Sequence, residues 1–199
     1  MWQFIRHPTE VGTPFACSSA VTDKILAHIP APSHQAHRYL EVGPGTGAFT
    51  KRLVEKLGPN DQLDLVEIDA VFSRSLQEMY KDFPNIHVHH MPIQEWSPSY
   101  KYDVVIGAVP LNALPSKEVI LPILNSYERL TKKEGVLSLV EYIGTSTLRT
   151  GILFGEQKKS FQEVVALKSS FFKRHSFGTE KIWKNFPPAR VIHCRIQDN

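Results

Sequence analysis

Short apolar runs alternate with amphipathic segments along most of this chain. The apolar runs predict strands at 38–42, 62–68, 86–90, 103–109 and 136–143. Between them, apolar residues recur at helical spacing and predict helices at 46–57, 71–81 and 116–130. Buried strands that alternate with helices are typical of a parallel sheet covered on both faces. We therefore expect a doubly wound α/β fold.

The two ends of the chain depart from this alternation. Near the start, Ser18 or Ser19 can cap a short amphipathic helix that Pro30 ends. We expect 1–32 to form an N-terminal helical lid or membrane-docking segment and 33–199 to form the main domain. After a helix at 161–170, strands at 179–184 and 190–196 predict an antiparallel hairpin. The sheet should then be mostly parallel and seven-stranded.

Composition favours one soluble domain. The chain has 199 residues, of which 42% are hydrophobic, enough for a core without a disulfide or metal. Its two cysteines, Cys17 and Cys194, form no metal-ligand spacing. The first residues lack a signal-peptide core, and no run of about 18 apolar residues predicts a membrane span. We expect a cytoplasmic protein, free or peripherally associated with the inner membrane face.

Basic residues concentrate in the C-terminal part. From Thr145 onward there are ten lysines and arginines against four acids, a net charge of +6 in a chain whose total is +3. Such a region favours an anionic partner, either lipid headgroups or nucleic acid. A solvated basic face is the alternative.

The first predicted strand runs into a glycine loop, Glu41-Val42-Gly43-Pro44-Gly45-Thr46-Gly47. Glycines let backbone turn tightly and approach a ligand, and the helix that follows favours an anionic group. Dinucleotide-binding loops are similar, but their spacing is GxGxxG and not GxGxG. Glu41 could accept a hydrogen bond from a cationic amine. Glu67, at the end of the second strand, could accept both hydroxyls of a ribose, and Ile68 could pack on an adenine.

This segment resembles motif I of the class I S-adenosylmethionine-dependent methyltransferases, and Glu67 resembles the acid that follows their motif I. The resemblance implies that S-adenosylmethionine is bound and S-adenosylhomocysteine released. Many relatives carry an aspartate for the adenine amine after the third strand, where this chain has His90-Met91-Pro92-Ile93. Backbone near Pro92 and Ile93 is the expected substitute. The implied cofactor residues are Glu41, Gly43, Pro44, Gly45, Gly47, Glu67, Ile68, Pro92, Ile93 and Ala108.

The fourth strand ends in Ala108-Val109-Pro110-Leu111-Asn112, beside the expected position of the sulfonium. Adenine N-methyltransferases usually carry Asn/Asp-x-Pro-aromatic here, to hold the amine and stack on the base. Ala108 and Leu111 supply neither contact. This disfavours a nucleic-acid substrate, although the layout is similar to that of the ribosomal RNA adenine dimethylases.

Over most of its length the chain resembles bacterial phospholipid N-methyltransferases, which convert phosphatidylethanolamine to phosphatidylcholine. The resemblance lies in the N-terminal Phe4-Ile5-Arg6 region, in 108–112, and in Asn185-Phe186-Pro187-Pro188-Ala189-Arg190-Val191. It implies a peripheral enzyme on a phospholipid surface. An N-terminal segment with Trp2, Phe4 and Ile5 suits interfacial docking or a lid over the cleft, and the two are compatible.

Methylation of an amine requires the deprotonated form and a pocket that tolerates a quaternary ammonium product. Tyr142, with Pro110, is the best catalytic candidate, since aromatic faces attract such cations. Phe15 and Trp183 are further aromatic candidates for the substrate site; packing in the core is the alternative for Tyr142 and Trp183. Arg190 or Arg6 could bind a lipid phosphate, and for Arg190 a solvated strand position is the alternative. No general base is evident.

Three other functions compete with lipid methylation. They are methylation of a nucleic acid, methylation of a soluble metabolite, and cofactor binding without catalysis. His87, His89 and His90 could suggest a metal, but they fit a half-buried strand better, and methyl transfer needs none.

Overall fold

The computed structural model describes residues 18–144 and 153–196. Its helices are α1 Ser19–Ile25, α2 Ala48–Val54, α3 Ala70–Tyr80, α4 Lys117–Leu130 and α5 Gly155–His175. Its strands are β1 Arg38–Val42, β2 Gln62–Glu67, β3 Ile86–His90, β4 Tyr102–Gly107, β5 Thr131–Tyr142, β6 Ser176–Ile182 and β7 Ala189–Arg195. Single 3₁₀ turns lie at Ile93–Glu95 and Leu111–Ala113.

The strands form one seven-stranded sheet in the order β3-β2-β1-β4-β5-β7-β6. β1 to β5 are parallel, and β7 pairs antiparallel with both β5 and β6. The expected doubly wound fold with an antiparallel C-terminal hairpin is therefore confirmed. The strand order reverses between β1 and β4, and ligands of such sheets bind beyond the carboxyl ends of the strands at that point.

Each face of the sheet carries its own hydrophobic layer. Helices α4 and α5 cover one face, where Leu40, Leu137 and Leu139 are buried. Helices α1, α2 and α3 cover the other, where Tyr39, Leu63 and Ile106 are buried. Apolar residues on both sides of a strand are what a parallel sheet between two helical layers requires.

Helix α1 belongs to the second layer. Val21, Ile25 and Leu26 are almost fully buried, and they join a cluster that includes Val191 of β7. The described part of the N-terminal segment thus packs against the hairpin side of the sheet. Residues 1–17 lie outside the described residues, so a lid or docking role for them stays a prediction. No helix in the described ranges is long and apolar enough to cross a bilayer.

Several elements differ in extent from the sequence prediction, among them helix α2, which was predicted at 46–57 and spans Ala48–Val54. Helix α5 is twice as long as expected, because its first turns are polar and exposed and show no apolar period. Strand β5 begins at Thr131, although the charged stretch after it is typical of a loop. Strand β6 ends at Ile182, which leaves Trp183 in the turn that leads to β7.

Candidate active site

The glycine loop leaves β1 at the carboxyl edge of the sheet. Gly43, Gly45 and Gly47 all have positive φ, at 72°, 57° and 79°, a region that side chains rarely adopt. A Cβ at Gly43 would lie 3.2 Å from Val109 Cγ2, so the loop presses against the exit of β4. A Cβ at Gly45 would meet no atom within 4 Å. The loop therefore turns an uncovered backbone toward open space, as a cradle for a ligand requires.

Glu67 braces this loop from the end of β2. Its Oε2 accepts a hydrogen bond from the Gly45 amide at 2.8 Å, and its Oε1 accepts one from the Asp69 amide at 2.9 Å. Burial raises the pKa of Glu67, although these amide donors act in the opposite direction. Each carboxylate oxygen has two lone pairs, so Glu67 can accept a further hydroxyl on each oxygen while it holds the loop.

Glu41 lies fully buried under the loop. Its Oε2 accepts a hydrogen bond from Thr50 Oγ1 at 2.7 Å, whereas its Oε1 has no hydrogen-bond partner in the described part of the chain. Burial raises the pKa of Glu41 to about 7; the Thr50 hydroxyl opposes this shift and the charge of Glu67 adds to it. A buried oxygen without a donor is costly, and a donor on a ligand is one way to satisfy it. A cationic amine at Oε1 would supply both the donor and the missing charge.

The ends of the neighbouring strands meet this loop. The Gly43 amide donates to the Val66 carbonyl, and the Ala108 amide donates to the Val42 carbonyl, each at 2.9 Å. Ile68 follows Glu67 and is half-buried. The predicted residues on β1, β2 and β4 therefore lie together at the reversal of strand order, where ligands of such folds bind in a crevice beyond the strand ends. A nucleoside bound there with its amine toward Glu41 and its ribose toward Glu67 stays a prediction.

Three other predicted cofactor residues lie in the glycine loop and just after β3. Pro44 is buried, and its carbonyl accepts from the Gly47 amide at 2.9 Å. The Ile93 side chain is 5% exposed and packs in the core, so only its backbone could face an adenine. Pro92, directly before it, is half-buried. An adenine contact at 92–93 stays a prediction.

The predicted acceptor residues are only partly brought together. Tyr142 is half-buried at the end of β5, and its carbonyl accepts from Asn112 Nδ2 at 3.4 Å, which links it to the exposed Pro110 region. Trp183 is 65% exposed, so packing in the core is excluded for it. Phe15 and Arg6 lie outside the described residues.

Arg190 is already engaged. Its Nε and Nη2 both donate to Glu141 Oε2, at 3.0 Å and 2.6 Å, while 39% of its side chain stays exposed. It is therefore not a purely solvated strand residue, and a phosphate would have to share it with Glu141.

A buried ion-pair network that the sequence did not predict lies beside Tyr142 and residues 108–112, which we name the acceptor end. Lys168 of α5 lies 2.7 Å from Glu141 Oε1 and also donates to Asn112 Oδ1, although its side chain is only 5% exposed. The network ties α5 and β5 to the segment after β4. A signal for it exists in the sequence: the buried stripe of α5 runs through positions 161, 164, 168, 171 and 175, so a lysine stands where an apolar residue is expected.

The histidines of β3 take structural positions. His87 is exposed, and His89 pairs with Asp64 at 2.6 Å and stacks on Trp96. Hydrogen bonds from Tyr100 and Tyr102 hold the same carboxylate, and the pKa of Asp64 is lowered. Within the described ranges, no group of three or more histidine, cysteine or acidic residues is arranged to hold a metal ion.

Fold and crevice together define a class I methyltransferase that uses S-adenosylmethionine, and comparisons with known proteins agree. Residues 6–145 match the family model described as ribosomal RNA adenine dimethylase. Because this match covers more than half of the chain, the chain belongs to the ribosomal RNA adenine dimethylase family.

Sequence relatives include ribosomal RNA small subunit methyltransferase A of Dehalococcoides mccartyi, which is 34% identical over 95 residues, 48% of this chain and 31% of that protein. Fusarielin synthase FSL1 of Gibberella zeae is 26% identical over 132 residues, 63% of this chain. The chain spans only 5% of that synthase.

Among solved structures, the N-methyltransferase NodS from Bradyrhizobium japonicum WM9 superposes with a TM-score of 0.69 at 15% identity, over 94% of this chain and 98% of NodS. NodS is also known in complex with S-adenosylhomocysteine. At this identity the likeness concerns the fold alone.

Proposed function

We propose that this protein transfers methyl groups from S-adenosylmethionine to the amine of phosphatidylethanolamine, stepwise toward phosphatidylcholine, at a membrane surface. The observation that carries the proposal is the set of residues that follows β4, which lacks the contacts an adenine would need. Leu111 is 1% exposed and packed in the core, so it cannot stack on a base, and Ala108 has no group to hold an adenine amine. The exposed Pro110 and the half-buried Tyr142, which packs on the same hydrophobic layer as Ala108, instead give an acceptor end of apolar and aromatic character.

The chemistry demands little of the protein beyond positioning and desolvation. When bound, the cofactor supplies a methyl group on a sulfonium. A primary amine with a pKa of about 10 in water is mostly protonated at neutral pH, and an apolar pocket lowers that pKa. The Tyr142 ring can accommodate the growing positive charge on the nitrogen by cation–π attraction. Holding nitrogen, methyl carbon and sulfur in line supplies much of the remaining advantage.

The buried acid next to Tyr142, Glu141, already has its charge balanced by ion pairs. Glu141 is paired with both Lys168 and Arg190. It therefore serves better to hold the acceptor end in shape than to take a proton from an amine. Arg190, at the exposed side of this network, is the residue we assign to the lipid phosphate.

A second candidate is methylation of adenine in ribosomal RNA. The family match over residues 6–145 and the relation to ribosomal RNA small subunit methyltransferase A favour it. The basic C-terminal part would then face RNA. The missing contacts at Ala108 and Leu111 argue against this candidate.

A competition experiment separates the two candidates. The protein is incubated with methyl-labelled S-adenosylmethionine, phosphatidylethanolamine vesicles and ribosomal RNA in one tube, and label is counted in the organic and aqueous phases. We expect label in mono-, di- and trimethylated lipid, and none with Glu67→Ala, which loses the brace of the loop. Label confined to RNA would overturn the proposal, and label in neither would point to a soluble amine.

A further inference from the structure

The turn between β6 and β7 lies at the same edge of the sheet as the active site. Ile182 of β6 pairs with Ala189 of β7, and Ala189 pairs with Tyr142 at the end of β5. The Ile143 amide donates to the Pro188 carbonyl at 2.7 Å. Residues 183–188 therefore project beyond the carboxyl end of β5, beside the acceptor end.

Large aromatic side chains are exposed around this edge. Trp183 and Phe186 in the turn are 65% and 83% exposed. Phe154, just before α5, is 79% exposed. The start of α5 lies near the same edge, because Ser160 Oγ donates to the carbonyl of Pro115, which follows β4 by a few residues. We name Phe154, Trp183 and Phe186 the aromatic rim.

Hydrogen bonds fix the conformation of the turn that carries two of these residues. Asn185 is 4% exposed, and its Nδ2 donates to the Pro187 carbonyl at 2.7 Å. Its Oδ1 accepts from the Ser18 amide at 3.1 Å, which joins the turn to the start of α1. These bonds hold the backbone of the turn in the conformation in which Trp183 and Phe186 are exposed. Clustered exposed aromatics next to polar residues mark an interaction surface.

The charges around the aromatic rim are mostly positive. Of the nearby acids, Glu180 is paired with Lys24, and Glu156 is exposed at the start of α5. Four exposed lysines lie in the same segments: Lys158, Lys159, Lys181 and Lys184. Aromatic side chains flanked by lysines match the interface of a bilayer, where aromatic rings lie at headgroup level and cations face anionic lipid.

We propose that the aromatic rim and its four lysines dock this protein onto an anionic phospholipid bilayer. This contact would bring the acceptor end, which lies at the same edge of the sheet as the turn, to the level of the headgroups. The inference rests on the proposed function for the identity of the acceptor, but docking itself requires no methyl transfer. It adds a second membrane-binding element to the N-terminal segment expected from the sequence.

Vesicle binding tests this inference independently of catalysis. Vesicles of phosphatidylglycerol and phosphatidylcholine contain no amine acceptor, so sedimentation with them measures docking alone. We expect W183S/F186S to bind at least about tenfold more weakly, since each aromatic loses its apolar burial. F83S is the matched control, because Phe83 is 43% exposed at the opposite edge. Equal binding by W183S/F186S and the wild type would overturn the inference.

Three further measurements complete the test. Brominated lipid chains should quench a larger fraction of the tryptophan fluorescence in the wild type than in W183F. Equal quenching would contradict insertion of Trp183 into the bilayer. K181S/K184S should lose vesicle binding where K56S/K101S, at the opposite edge, does not. With dispersed short-chain phosphatidylethanolamine, K181S/K184S should methylate at the wild-type rate. If no phosphatidylethanolamine is methylated while docking still depends on Trp183 and Phe186, the proposed function fails and the docking surface stands.

Discussion

Replacing Glu41 by glutamine tests whether the cofactor site holds an unfavourable buried charge. Burial raises the pKa of Glu41 from 4.5 to about 7, and at about 1.4 kcal/mol per pH unit this difference amounts to about 3 kcal/mol. Between these two values the folded protein keeps a proton that the unfolded chain loses. The free energy of unfolding therefore falls as the pH rises through this window. Above the window, the ionised carboxylate destabilises the folded protein by the full amount of about 3 kcal/mol.

Glutamine has nearly the same shape, can accept the Thr50 hydrogen bond and carries no charge. We expect the free energy of unfolding of E41Q, relative to the wild type, to rise by about 3 kcal/mol between about pH 4.5 and pH 8. Urea unfolding at both pH values measures this change, and the cost of an unpaired amide cancels because it does not depend on pH. An unchanged difference at the two pH values would refute the titration of Glu41 near neutrality.

The same variant connects this charge to cofactor binding. A cationic amine beside Glu41 Oε1 favours the ionised carboxylate, so the wild type should release a proton when S-adenosylmethionine binds at about pH 6. E41Q should bind at least about tenfold more weakly, because it loses a charged hydrogen bond, and should release no proton. Calorimetry in buffers of different ionisation enthalpy reports both quantities. Equal proton release by the two proteins would place the amine elsewhere.

Three other substitutions test the crevice and its support. In G107A a Cβ would lie 2.3 Å from Leu139 Cδ2, so urea unfolding should show a loss of about 1–3 kcal/mol; unchanged stability would contradict this close packing. G45A has space for a methyl group, so it should lose only about 1–2 kcal/mol of stability yet bind S-adenosylmethionine poorly in calorimetry; normal binding would mean that the loop does not face the cofactor. K168M should lose about 3 kcal/mol of stability in urea unfolding, because it removes one of the two cationic partners of the buried Glu141. Adding E141Q should recover part of this loss, and additive losses would show that the pair does not interact.

The parallel part of the fold could be predicted because each strand is an apolar run and each helix has a period. The common edge on which Glu41 and Glu67 lie could also be predicted. The carboxyl ends of parallel strands share one edge of the sheet, and the glycine spacing indicates that this edge binds the ligand. The structure adds Thr50, whose hydroxyl reaches Glu41 only once α2 packs against β1. No spacing rule connects residues 41 and 50.

The acceptor end could be predicted less well because its contacts are long-range. Lys168 meets Glu141 and Asn112 only through the packing of α5 on the sheet. The position of Trp183 depended on where β6 ends, and a shift of two residues moves it from a strand into an exposed turn. Pattern alone places strand ends to within a few residues, which was too coarse for this side chain.

A structure of the protein with S-adenosylhomocysteine bound is the most direct test of the account. We expect the amino group of the ligand within about 2.7–3.2 Å of Glu41 Oε1 and the ribose hydroxyls at hydrogen-bonding distance from Glu67. The Gly45 amide should keep its bond to Glu67 in the complex. A ligand bound in the reverse orientation, or one that touches neither carboxylate, would contradict the assignment of the crevice.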